Sequence, residues 1–62
     1  MTLDRLPKVG APATRALEAA GYTSLSDLAG VSRGHLAKLH GVGPKAIGII
    51  QAALEEHGLT LS

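Results

Sequence analysis

The chain has no cysteine, no tryptophan and no phenylalanine, and Tyr22 is its only aromatic residue. The missing cysteines exclude disulfides and thiolate metal sites. The missing aromatics leave Leu, Ile, Val and Ala to build the core. At 62 residues the chain makes one domain, of a size that buries only about 60% of its unfolded surface. Stability must then come from close helix packing. Long apolar runs are missing too. None approaches the roughly 18 residues of a membrane span, and Met1 to Pro7 lacks the apolar stretch of a signal peptide. These absences set a cytoplasmic protein with no membrane partner as the expectation. There is no alternating polar–apolar tract, no linker and no low-complexity segment, so an all-α fold is expected.

Charge of one sign is scarce in sum and uneven in placement. Six Lys and Arg against five Asp and Glu leave a formal charge of +1, short of the basic excess typical of tight nucleic-acid binders. Yet no acid occurs from Leu28 to Leu54, a stretch that carries Arg33, Lys38, Lys45, His35 and His40. Glu55 and Glu56 follow at the far end. This placement predicts a basic face with an acidic rear.

Glycine is what the chain does have. In Leu39-His40-Gly41-Val42-Gly43-Pro44-Lys45 a short helix runs into a Gly-Val-Gly turn. A new helix starts at Pro44, a residue suited to the first helical position. The first amides of that helix lack internal partners and lie at the positive end of its dipole, next to the Lys45 ammonium. Such an arrangement grips a phosphate with backbone donors, and so reads a nucleic-acid backbone and not its bases. Gly43 is expected to take a positive φ, or to lie so near the ligand that any Cβ would collide. Either way Gly43→Val would harm fold and binding alike.

A fainter copy lies upstream. Leu6-Pro7-Lys8-Val9-Gly10-Ala11-Pro12-Ala13 aligns with Leu39-His40-Gly41-Val42-Gly43-Pro44-Lys45-Ala46. Further on, Ala16-Leu17-Glu18-Ala19-Ala20-Gly21-Tyr22-Thr23 echoes Ala53-Leu54-Glu55-Glu56-His57-Gly58-Leu59-Thr60, with the spacing between copies grown by four residues. Four residues make about one helical turn. The second helix therefore reads as the first with a turn added and its buried face in register.

The pattern resembles the helix-hairpin-helix family in its paired form, over nearly the whole chain. The second hairpin is the stronger match. In the first, Lys8 replaces the first glycine and Ala11-Pro12 replaces the Pro44-Lys45 pair. The resemblance implies four or five short helices forming two helix-hairpin-helix motifs related by a pseudo-twofold axis. The single domain, 1–62, divides into a first motif over about 3–21, a connector over about 22–31 and a second motif over about 32–58. In related hairpins the turn carbonyls hold a monovalent cation, and the resemblance extends that option to the backbone around Gly41 and Gly43. Within this group the chain is similar to the C-terminal domains of bacterial RNA polymerase alpha subunits, through Leu17-Glu18-Ala19-Ala20-Gly21-Tyr22-Thr23-Ser24-Leu25-Ser26-Asp27-Leu28 and the ending His57-Gly58-Leu59-Thr60-Leu61-Ser62. Gly43 and Lys45 match DNA-contact positions of those domains. Pro12 stands where they have a minor-groove arginine, Arg15 where they have an asparagine, Ala46 for a serine and Ile49 for an acid. These departures weigh against promoter-element reading and activator contact, and leave generic phosphate binding.

Local signals place the helices. Leu3 to Leu6 make one helical turn stopped by Pro7. A helix over Pro12 to Ala20 carries Ala13, Ala16, Leu17 and Ala20 on its apolar face and ends at Gly21. Ser24 or Thr23 caps a short helix through Leu25, Leu28 and Ala29, and Ser32 caps another with Leu36 and Leu39 inward. The last helix runs from Pro44 to about His57, with Ile47, Ile50 and Leu54 inward and Ile49 and Ala53 to the side. It is apolar nearly all round, which marks a central helix or one that faces a partner. The serines, Asp27 and the histidines form no nucleophile-elbow or metal-ligand pattern, so no catalysis, cofactor or metal is expected. The expected function is non-sequence-specific binding of double-stranded DNA across the minor groove. Lys8, Val9, Gly10, Arg15, His40, Gly41, Val42, Gly43 and Lys45 are the candidate contacts. The rival reading is a protein-interaction or homodimerisation module that uses the apolar last helix around Ile49.

Overall fold

Prolines and glycines set the limits of the helices. In the computed structural model, which describes residues 3–62, α1 spans Ala11–Ala19, a 3-10 helix spans Ser26–Leu28, α2 spans Arg33–Ala37 and α3 spans Pro44–Glu55. No strand occurs among the described residues. Pro12 and Pro44 stand in the first turns of α1 and α3, where a missing N–H breaks no helical bond. The two helices close alike. Gly21 and Gly58 both take positive φ. Tyr22 N–H donates to Leu17 O at 2.9 Å, as Leu59 N–H does to Leu54 O at 2.9 Å. That six-to-one bond, with a left-handed residue inside it, is the Schellman closure.

The core is wholly apolar. Leu17, Leu25, Leu28, Leu36, Ile50 and Leu54 are fully buried, joined by Ala13, Val42, Ala46, Ala53 and Leu61. Among the described residues no polar side chain is buried, so burial of aliphatic area is the main stabilising term. On α3 the inward residues are Ala46, Ile50, Ala53 and Leu54, while Ile47 is only half-buried. The expected Ile47–Ile50–Leu54 stripe is thus rotated, because a one-methyl side chain at 46 or 53 lets a neighbouring element approach where Ile would hold it off. On α1, Ala20 is exposed and Ala16 half-buried, since the chain turns away at the Ala20 cap.

The connector departs from expectation in how it is capped. Neither Thr23 nor Ser24 caps the 3-10 helix, whose N-cap is Leu25. Instead Asp27 Oδ2 accepts from the Thr23 and Ser24 N–H groups at 3.2 and 3.3 Å. The bonding runs opposite to the expected cap: a carboxylate, the stronger acceptor, reaches back to the amides of the preceding residues. Ser32 does cap α2, accepting from His35 N–H at 3.3 Å. The segment at Leu3–Leu6 makes a turn and no helix. Its carbonyls serve the connector, with Leu25 N–H donating to Arg5 O and Ser26 N–H to Leu3 O. The last residues do the same from the other side: Gly30 N–H donates to Thr60 O, and Ser62 N–H to Val31 O. Gln51, the one polar residue within the apolar stretch of α3, secures this tail. Its Oε1 accepts from Leu61 N–H at 2.9 Å and its Nε2 donates to Thr60 Oγ1 at 3.0 Å. Helix α3 stops at Glu55, two residues before the expected His57, and residues 56–58 form the closing turn.

Of the glycines, Gly41 lies tightest against another backbone segment. Its φ is +96°, and a Cβ there would meet the Pro12 carbonyl oxygen at 2.9 Å and its carbon at 3.2 Å. The second turn is thereby pressed onto the first turn of α1. Gly41→Ala combines a strained φ with a collision against backbone and should cost at least about 2 kcal/mol. In a domain this small that lowers the melting temperature by about 8 °C or more. A Cβ added at Gly48, inside α3, would meet nothing within 4 Å, and Gly48→Ala should raise stability by about 0.5–1 kcal/mol. Thermal melts of the two variants beside wild type check both signs; equal melting of wild type and Gly41→Ala would contradict the packing described.

Asp27 supplies a second test. Its carboxyl is held below the usual carboxylate range, chiefly by the Thr23 N–H and then by Ser24. A pKa lower in the folded state stabilises the fold above the unfolded value and loses that contribution as pH falls through the folded one. Asp27→Asn should therefore melt below wild type at pH 7, and the gap should close below about pH 4. Melting curves across that range would refute the assignment if the gap stayed constant.

Candidate nucleic-acid interface

Two helix starts open into one place. Lys8, Val9 and Gly10 from the turn before α1, and Gly41, Gly43, Lys45, Ala46 and Ile49 from the second turn and α3, line one cleft of about 420 Å³. The Gly41–Pro12 approach brings the two turns side by side. Six of the nine expected contact residues therefore share a surface.

The backbone at these starts is unspent. The N-caps of α1 and α3 are Gly10 and Gly43, and neither helix has a side-chain cap or an acid in its first turn. The first internal bonds are Thr14 N–H to Gly10 O at 3.0 Å and Ile47 N–H to Gly43 O at 3.1 Å. The N–H groups of Ala11 and Ala13 in α1, and of Lys45 and Ala46 in α3, precede those bonds and have no helical acceptor to turn to. Pro12 and Pro44 remove one amide from each set. Helix α2 is different, because Ser32 caps it from within. Among the described residues the two long helices alone keep their starts open to an anion. Lys8 and Lys45 are exposed at the two sides of the cleft, where their ammonium groups add to the same field.

The two starts are not copies in detail. Gly10 has φ +92°, while Gly43 has φ −103° and ψ 178°. The expectation of a left-handed Gly43 is overturned: the left-handed residue of the second turn is Gly41. The reason lies in the alignment. Lys8 occupies the position equivalent to Gly41, and a residue with a Cβ avoids that geometry, so the first turn shifts its positive φ to Gly10. Gly43 is ordinary extended backbone facing open space. Its conformation does not demand glycine, and Gly43→Val is not a strained substitution.

The remaining expected contacts fall elsewhere. Val42 is buried, and its N–H is taken by Leu39 O at 3.1 Å; it anchors the turn from inside. His40 borders a separate hollow with Ala16, Ala19, Ala20 and Leu39. Arg15 is exposed on α1 outside the cleft lining. Two residues of the cleft were not expected there. Ala46 is buried in its wall and supplies an open amide. Ile49 lies in the lining, although the sequence placed it on a rival surface. Its position one turn after Lys45 was the available signal. The carbonyls of Leu39 and Gly43 already accept from Val42 and Ile47. Among the described residues no group of three or more His, Asp or Glu side chains converges, and no helix is long and apolar enough to cross a membrane.

Comparison with curated proteins and with solved structures returns no significant match. Two open helix starts joined through glycine turns, in an all-α domain, accord with the one comparison that does match: residues 1–56 fit the SAM-like helix-hairpin-helix tandem, and the chain belongs to that family.

Proposed function

We propose that the protein is a small, non-enzymatic DNA-binding module that grips double-stranded DNA across the minor groove without reading its sequence. Domains of this family are generally nucleic-acid binding. The observation that carries the reading is the shared cleft: the glycine caps of both helix starts, Gly10 and Gly43, line it together with Lys8 and Lys45 and with the open amides of α3. Each start takes one phosphate, so the pair spans two phosphates, one from each strand. In this reading the segments 3–21 and 32–58 act as paired hairpins about a pseudo-twofold axis, with 22–31 as connector and all of 1–62 as one domain. The likeness to the C-terminal domains of RNA polymerase alpha subunits then bears on architecture and on a bacterial, cytoplasmic setting. Promoter reading is left out, because Pro12, where those domains have arginine, lies against Gly41. The rival protein-interaction reading needed a separate face around Ile49. That residue borders the cleft, which favours the DNA-binding reading for it.

Few cations border the cleft, so few counterions are released on binding. Each neutralised phosphate adds about 0.9 to the slope of log affinity against log salt. Titration of duplex DNA at several salt concentrations should give a slope of about two to four, with micromolar or weaker affinity at physiological salt. Lys45→Glu should abolish most of that binding with the circular dichroism spectrum unchanged, since Lys45 is exposed. Tight binding to one sequence with a flat salt dependence would refute the proposal.

Gly43→Ser separates stability from binding. The backbone at Gly43 is extended, the geometry a serine N-cap uses, and its hydroxyl would bond the Lys45 or Ala46 N–H. The helix should gain a few tenths of a kcal/mol. DNA should lose the same amide, weakening binding about tenfold. A melt and a titration on one sample test this. Undiminished affinity in a stabilised variant would mean that the amides of α3 do not hold phosphate.

A further inference from the structure

We infer that Ile49 is a specificity-determining residue that selects deoxyribose over ribose, so that the cleft admits a DNA duplex and disfavours an RNA duplex. The inference rests on the DNA-binding reading above. Backbone amides and lysines recognise phosphate, which DNA and RNA share, so they do not tell the two apart. The distinction must come from whatever meets the sugars. Between the two helix starts the cleft offers the half-buried side chains of Ile49 and Val9. Lys8 and Lys45 are its only polar side chains, and lysine donates but does not accept. No side chain in the lining accepts a hydrogen bond.

Ile49 is one turn further along α3 than Lys45. A phosphate held at the first turn brings its own sugar over the second, against Ile49. A deoxyribose presents only carbon and hydrogen at its 2′ position, and the contact is apolar on both sides. A ribose presents a 2′-hydroxyl that is both donor and acceptor, and in A-form RNA it lines the wide, shallow minor groove. Covering that hydroxyl with a branched aliphatic side chain strips its water and leaves its proton unbonded. One unsatisfied group of this kind is worth about tenfold in affinity.

The test compares DNA and RNA duplexes of identical sequence by fluorescence anisotropy, with wild type, Ile49→Thr and Ile49→Leu. Circular dichroism of each variant checks that the half-buried site tolerates the change. Wild type should bind the DNA duplex about tenfold more tightly than the RNA duplex. Threonine keeps a branched shape but adds an acceptor, and should narrow that ratio to about threefold or less, mainly by improving RNA binding. Leucine should preserve the wild-type ratio. Equal wild-type affinity for the two duplexes, or an unchanged ratio in Ile49→Thr, would overturn the role of Ile49 while the DNA-binding reading stood. Failure of wild type to bind either duplex would overturn both.

Discussion

The contact between Gly41 and the Pro12 carbonyl is the constraint on which the rest of this structure depends. A turn can lie flat on the first turn of a helix only if nothing projects from it, and a positive φ without a Cβ meets both demands at once. The consequence reaches well past one turn. With Gly41 seated there, α1 and α3 begin beside one another, and their glycine caps border a common cleft. Had the second turn stood off by the width of a side chain, the same two helices would present separate and weaker anion sites. The geometry of the cleft is therefore a packing property of the backbone.

Polar groups are handled at the margins of the fold. The core holds only aliphatic side chains, and among the described residues no buried side-chain nitrogen or oxygen lacks a partner. Connector amides, which belong to no long helix, are served by the chain's two outer segments and by Asp27. Gln51 shows how little polarity this needs. One amide side chain, bonded to Glu55, Thr60 and Leu61, fixes the final residues against α3 and lets Leu61 enter the core.

Much of this was legible in the residues, for definite reasons. The helix starts at Pro12 and Pro44 and the stops at Gly21 and Gly58 follow from rules local to three or four residues, and so does the Ser32 cap. The repeat of glycine and leucine positions pointed to two turns. What escaped was set by distant contacts. That Gly41 has no room for a Cβ depends on Pro12, about thirty residues away in the chain. Which face of α3 turns inward depends on how closely neighbours can approach Ala46 and Ala53. Ile49 was judged by its hydrophobicity, which cannot say whether a half-buried aliphatic side chain borders a partner surface or a ligand cleft. The part played by Asp27 was not foreseen, because the caps were sought among Ser24 and Thr23.

The hydrogen bonds that tie the connector have a consequence for cooperativity. Leu25 and Ser26 are bonded to the segment before α1, while Gly30, Val31 and Arg33 are bonded to the segment after α3. The stretch between the two turns thus draws its backbone partners from both ends of the chain. Opening either half strands amides in the other, besides exposing a share of the one leucine core. Neither half is a folding unit in its own right. Such cross-bonding makes for a single melting event, in which the slowest-exchanging amides would report global unfolding.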